Sequence, residues 1–146
     1  MGTGKRLTTP VMFAALTIAQ LFHSIEEIIT GLYNWFPRVT GAIHETVRFF
    51  PQMRMSRPAF IVANVAAVLF MLVISVLLFR RVPWAIRVAR IAAIIEILNG
   101  IAHVTAAIVR RGYFPGAFSA VGLIIFGVLF FRADQIERAI SHLDES

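Results

Sequence analysis

The sequence predicts an all-α integral membrane protein, a bundle of four transmembrane helices with a short interfacial segment between helices 1 and 2. Two observations predict it. Hydrophobic residues make up 58% of the chain and charged residues only 15%, with a mean hydropathy of +0.78. That balance is too apolar for a soluble domain of 146 residues, which needs a charged surface. The charges that do occur are gathered in short clusters between apolar runs long enough to cross a bilayer core of about 30 Å. Residues 1–146 read as one small membrane domain.

The first span is expected over residues 9–35, about 40 Å as a helix, with Tyr33 and Trp35 as interfacial anchors and Pro37 as its stop. Arg38 to Arg57 is the longest polar connection. Within it Ile43, Val47 and Phe50 recur at helical spacing opposite His44, Glu45 and Arg48, a pattern that suits either a short helix lying in the interface or an irregular loop. The second span, 58–79, is apolar but for Asn64 and Ser75, which as lone polar groups read first as helix-packing hydrogen bonds. The third span, 84–109, carries Glu96, Asn99 and His103. The fourth, 116–131, offers Gly116, Ala120, Gly122 and Gly127 as small contact points for helix packing, and with them a route to a homo-oligomer. Residues 132–146 alternate charged and apolar positions and are expected to form a polar tail, helical or frayed.

The formal charge is +6, but the basic residues flank the spans instead of interleaving with aromatics on a polar segment. Arginine at a span end reaches lipid phosphate, so the partner implied is the bilayer and not nucleic acid. The absence of cysteine excludes disulfides, thiolate metal sites and Cys nucleophiles together. Four spans put both termini on one side. Eight of the 14 Lys and Arg fall on that side, Lys5 and Arg6 among them, which places the termini in the cytoplasm. Met1-Gly2 lacks the Ser or Thr of a myristoylation signal at position 6, and no small-residue cleavage site follows the first span, so that span is expected to stay as a membrane helix.

The chemistry is concentrated in His23-Ser-Ile-Glu26-Glu27, three ionisable residues inside an otherwise apolar helix. An unpaired charge buried there costs several kcal/mol or is forced to neutralise, so such residues are functional candidates by default. At about 100° per residue, His23, Glu26 and Glu27 fall within roughly a third of the circumference, and Gln20 extends the stripe. Glu96, Asn99 and His103 form a second stripe on the third span. Both stripes lie about 10 to 20 Å from the interface marked by Trp35 and Arg110, on helices that cross the membrane in the same direction, so they are expected to meet. Asn64 reaches a similar level. Tyr113 lies nearer the mouth, where an interfacial anchor is its simplest role, and His44 and His142 read as solvated.

Three carboxylates and two imidazoles in low dielectric are best neutralised by a divalent metal, zinc first and iron second, held by His23, Glu27, Glu96 and His103. In that reading Glu26 takes a proton from a metal-bound water, the logic of a zinc hydrolase acting on a small or lipidic substrate. Two irons make an oxidoreductase the alternative, although the set is one carboxylate short of the usual bundle di-iron site. Haem held by His23 and His103 is a further option that leaves the carboxylates unexplained. A metal-free network serving a proton relay, carrier or binding protein is the alternative outside enzymes. Asn99, Asn64, Gln20 and Tyr113 are the candidates for contacting substrate or supporting the ligands.

The order and spacing of His23-Ser-Ile-Glu26-Glu27, Asn99-Gly-Ile-Ala-His103 and Arg111-Gly-Tyr113-Phe-Pro115-Gly116 resemble the HXXEE-motif family of small bacterial membrane proteins. The resemblance implies a bacterial inner-membrane setting and supports the site, and it implies no particular reaction.

Overall fold

The computed structural model describes residues 8–144, without the side chains of residues 142 and 144. Met1, Gly2, Lys5, Arg6 and the His142 side chain therefore lie outside the described residues. Helices α1 (Thr8–Thr30), α3 (Arg57–Phe79), α4 (Ala85–Val109) and α5 (Ala117–Asp144) are joined by short turns and by the interfacial helix α2 (Phe36–Thr46); no strand occurs among the described residues. All four long helices are long and apolar enough to span a membrane. Their outward faces are apolar too: Phe22, Val62, Leu98 and Phe118 are each 60% or more exposed, a distribution suited to lipid and not to water.

Two boundaries differ from the sequence expectation, each for a local reason. The first helix stops at Thr30, short of Trp35, because Gly31 adopts the left-handed conformation (φ +72°) and the chain tightens into a 3-10 turn at Leu32–Asn34. Pro37, expected to end a helix, begins one instead. It stands in the first turn of α2, where no backbone N–H is needed. The interfacial segment is thus helical, but it closes at Thr46, with Val47 as its C-cap and Phe50 beyond it. His44 is held in place by its Nδ1 against the Phe50 carbonyl at 2.7 Å.

The tail takes the helical one of its two expected forms, continuing α5 to Asp144. Asp134 is buried and explains why. Arg90 of α4 meets it through Nε and Nη2, both at 3.0 Å, and Arg138 adds a contact at 2.9 Å. Arg90, expected among lipid phosphates, is therefore paired inside the bundle. Glu137 accepts from the Thr9 backbone N–H at 3.0 Å, capping the start of α1 with a carboxylate where the helix dipole favours one.

Helix α5 packs along α1 on one side and α4 on the other, while α3 lies mainly against α1. The small residues make this closeness. A Cβ on Gly100 would stand 2.8 Å from the Ala120 carbonyl, and one on Gly127 would stand 2.5 Å from Ile97. Gly100 and Gly127 are thus taken up by packing within the chain. In the half of the bundle near the termini the core is apolar, built on Phe13, Leu16, Met71, Leu123 and Phe130. Ser75 and Thr17 hydrogen-bond across α3 and α1 at 2.9 Å, the packing role expected of a lone hydroxyl.

Both helix stops before tight turns use arginine in the left-handed conformation, Arg81 (φ 58°) and Arg111 (φ 52°). At each, paired bonds close the helix end: Arg81 N–H to Leu78 O with Val82 N–H to Leu77 O, and Arg111 N–H to Ile108 O with Gly112 N–H to Ala107 O. Glycine removes the Cβ penalty there. Arg81→Gly is expected to raise stability by about 1 kcal/mol, measured by thermal denaturation in detergent.

Candidate functional site

The opposite half of the bundle buries ionisable groups. His23 is fully buried, and Glu27, Glu96 and His103 are each 8% exposed or less. The two stripes do meet. Glu27 Oε1 lies 3.1 Å from His23 Nε2 and 3.0 Å from His103 Nε2, and the two imidazoles touch edge to face with centroids 4.7 Å apart. The ligand atoms of His23, Glu27 and His103 all lie within 4.8 Å of one another.

The outer nitrogens of both rings are fixed by α5 and the turn before it. His103 Nδ1 lies 2.6 Å from the Pro115 carbonyl, which only accepts, so Nδ1 carries the proton. His23 Nδ1 lies 3.0 Å from Ser119 Oγ. The Ser119 hydroxyl has one proton, and it is donated to Glu26 Oε2 at 2.5 Å; toward His23 the hydroxyl accepts, and Nδ1 is again the donor. In the neutral tautomer both Nε2 lone pairs therefore converge on a carboxylate oxygen. Three acceptors meeting in a dry site require a cation or protons between them. A tetrahedral ion with ligands at 2.0–2.2 Å spaces those ligands by about 3.3–3.6 Å, a little wider than the 3.0 and 3.1 Å between Glu27 and the two imidazoles.

Gly116 makes the ring pair fit. Its φ is +85°, and a Cβ there would stand 2.7 Å from His103 Nδ1 and 2.8 Å from His23 Cε1. Only glycine satisfies both the conformation and the contact.

Glu26, one residue before Glu27, is turned 100° away and faces α5. Its oxygens accept from the Ser119 N–H at 2.8 Å, the Phe118 N–H at 3.3 Å, the Ser119 hydroxyl and the Tyr113 hydroxyl at 2.7 Å. This carboxylate caps the start of α5 and touches His23 only through Ser119. Tyr113 also stacks on Phe118. Its phenol is held above the ordinary tyrosine range, first by burial and then by the Glu26 carboxylate, so it remains a neutral donor.

Glu96, Gln20, Asn64 and Asn99 are brought to a cavity of about 440 Å³ that reaches Glu27 and His103. Asn99 Nδ2 lies 3.2 Å from His23 Nε2, and Asn64 donates to the Phe60 carbonyl at 3.2 Å. Glu96, expected among the ligands, lies outside the triad and lines the cavity beside it. Of the five groups expected to converge, only His23, Glu27 and His103 form a ligand cluster among the described residues. Nor does the edge-to-face contact leave room for a porphyrin between His23 and His103. At the outer end of the cavity, Trp35 is covered by the Arg110 guanidinium at 3.9 Å and packs on Phe114.

Ser119 and the Pro115 carbonyl are the functional groups that spacing alone does not reveal. The signal for them was the Arg111 to Gly116 turn, which delivers both to the histidines. A family model described as "Protein of unknown function with HXXEE motif" matches residues 14–131, a stretch that contains every one of these groups. The chain belongs to the HXXEE-motif family. No curated protein and no solved structure matches it. In this member of the HXXEE family the motif divides its work: His23 and the second glutamate form the buried triad with His103, and the first glutamate anchors α5.

Proposed function

We propose that this HXXEE protein is a membrane metalloprotein in which His23, Glu27 and His103 hold one divalent ion, zinc first and iron second, and that it hydrolyses a small or lipidic substrate lying in the adjacent cavity. The observation that carries the metal is the direction of the two rings: both Nδ1 protons are committed to protein acceptors, and both Nε2 lone pairs are aimed at one carboxylate oxygen. An ion with three protein ligands keeps a position open and lowers the pKa of a water bound there to about 7.

The chain's own residues supply the rest. Glu96 is the carboxylate on the cavity side of the triad, available to accept a proton from a water or a substrate. Glu26, the base expected from the motif, enters this reading as the group that orients His23 through Ser119. The membrane reading extends to a bacterial inner membrane with both termini cytoplasmic and the cavity facing the other side.

One competing reading has an observation of its own. Separations of 3.0 and 3.1 Å are also ordinary hydrogen-bond lengths, which favours a metal-free site with protonated histidines, as a proton-coupled carrier would use. Elemental analysis of detergent-purified protein separates the two. One zinc or iron per chain is expected, absent from His23→Ala and His103→Ala, with chelator-sensitive turnover in a screen of short- and long-chain esters and amides. Protein that is metal-free and cannot be loaded overturns the metal centre, and two irons per chain would move the protein to the oxidoreductases.

A further inference from the structure

The polar end of the cavity holds two buried acceptor oxygens that no described residue pairs. Gln20 is 4% exposed and Glu96 is 8% exposed, and both line the cavity. Gln20 Oε1 and Glu96 Oε2 have no hydrogen-bond partner among the described residues. The neighbouring amides do not reach these two oxygens: Gln20 Nε2 bonds to Ser24, Asn64 Nδ2 to the Phe60 carbonyl, and Asn99 Nδ2 lies 3.2 Å from His23 Nε2. A bare buried acceptor loses its hydration with no return, so such atoms are rare unless something else supplies the proton. The rest of the wall, including Leu32, Phe36, Phe60, Ala67, Ile95 and Phe114, is apolar, and the cavity is of a size that buries a small organic molecule.

We propose that the cavity takes a single apolar chain carrying a hydrogen-bond-donating head, a hydroxyl or a primary amine, with the head between Gln20 and Glu96 and the tail toward Phe60 and Trp35. An anionic head is disfavoured. Carboxylate and phosphate bring only acceptors, which leave Gln20 Oε1 as bare as before. This names the substrate class of the function proposed above and rests on that reading's assignment of the cavity as the substrate site, but not on the metal.

The chain has two tryptophans, and Trp84 is the N-cap of α4 at the far end of the bundle, so Trp84→Phe leaves Trp35 as a reporter in the cavity wall. Protein carrying that change, in bilayer nanodiscs, is titrated with 1-decanol, decylamine and decanoate. The Gln20→Leu/Glu96→Leu double variant corrects for partitioning into lipid. Saturable quenching or enhancement by decanol or decylamine is expected, with decanoate at least about tenfold weaker; which of the two donors binds tells a neutral head from a charged one.

Glu96→Leu alone is expected to weaken donor-headed chains about tenfold and to raise the melting temperature, because it removes a buried bare acceptor. Decanoate binding as tightly as decanol, unchanged binding in Glu96→Leu, or a Glu96→Leu protein less stable than its parent overturns the inference. Titration with and without chelator keeps the two readings apart. Chain binding in metal-free protein supports the cavity assignment even if no metal is ever found, and stoichiometric metal without chain binding overturns it while the metal centre stands.

Discussion

Glu27→Gln is expected to weaken metal binding by more than about 100-fold and to make the protein's thermal stability indifferent to chelator. Removing a group that only orients a ligand costs roughly 10–100-fold, and Glu27 Oε1 is the atom both Nε2 lone pairs face, so its loss exceeds that range. The parent should behave differently. At a free ion concentration of about 100 times the dissociation constant, binding adds about 2.7 kcal/mol to the folded state, and chelator should remove that amount. In the variant there is nothing to remove. A proton network predicts the opposite pattern. The parent would ignore chelator, and Glu27→Gln would strip the counter-charge from buried imidazolium groups and lose about 3–5 kcal/mol under all conditions. Melting curves of both proteins, each with zinc and with chelator, therefore distinguish the readings without any substrate.

The bundle and its triad were legible because hydropathy and depth are properties a linear sequence carries. Apolar run lengths marked four spans, and the distance of His23, Glu27 and His103 from Trp35 and Arg110 put them at one level. Direction around the helix was less legible. Grouping Glu26 with Glu27 on one stripe is correct to about 100°, and 100° is what separates a buried triad from the capped start of α5. Glu96 lines the cavity beside the triad for the same reason: one stripe on α4 is wide enough to serve both the histidines and the cavity. The choice between a helical and a frayed tail was not legible, because its determinant is a pair. Arg90 alone reads as a lipid anchor and Asp134 alone as part of a polar tail, and only their contact fixes a helix through both. The break at Gly31 was masked by the apolar Leu32, Tyr33 and Trp35, which continue the hydropathy of α1 while its backbone turns.

Gly116→Ala is expected to destabilise the protein by about 2–5 kcal/mol and to abolish metal binding, although the residue carries no side chain and binds nothing. Two effects add. A left-handed conformation costs an L-residue about 1–2 kcal/mol, and overpacking a filled site costs typically 1–3 kcal/mol. The new methyl would have to stand 2.7 Å from His103 Nδ1 and 2.8 Å from His23 Cε1. Neither ring can retreat freely. His103 is tied to the Pro115 carbonyl next to Gly116, His23 is tied to Ser119 three residues on, and moving either ring breaks the bond that points its Nε2 at Glu27. Gly122→Ala, inside α5, is the control: the added methyl meets only the Ala19 side chain at an ordinary 3.6 Å, and it should leave melting temperature and metal content near those of the parent. If Gly116→Ala lowers stability yet keeps full metal content, the rings have found room to move, and the tautomers set by Pro115 and Ser119 do not govern the site. If it loses metal at a melting temperature still well above assay conditions, the turn before α5 acts on the ligands themselves, with Gly116 holding the two imidazoles in register.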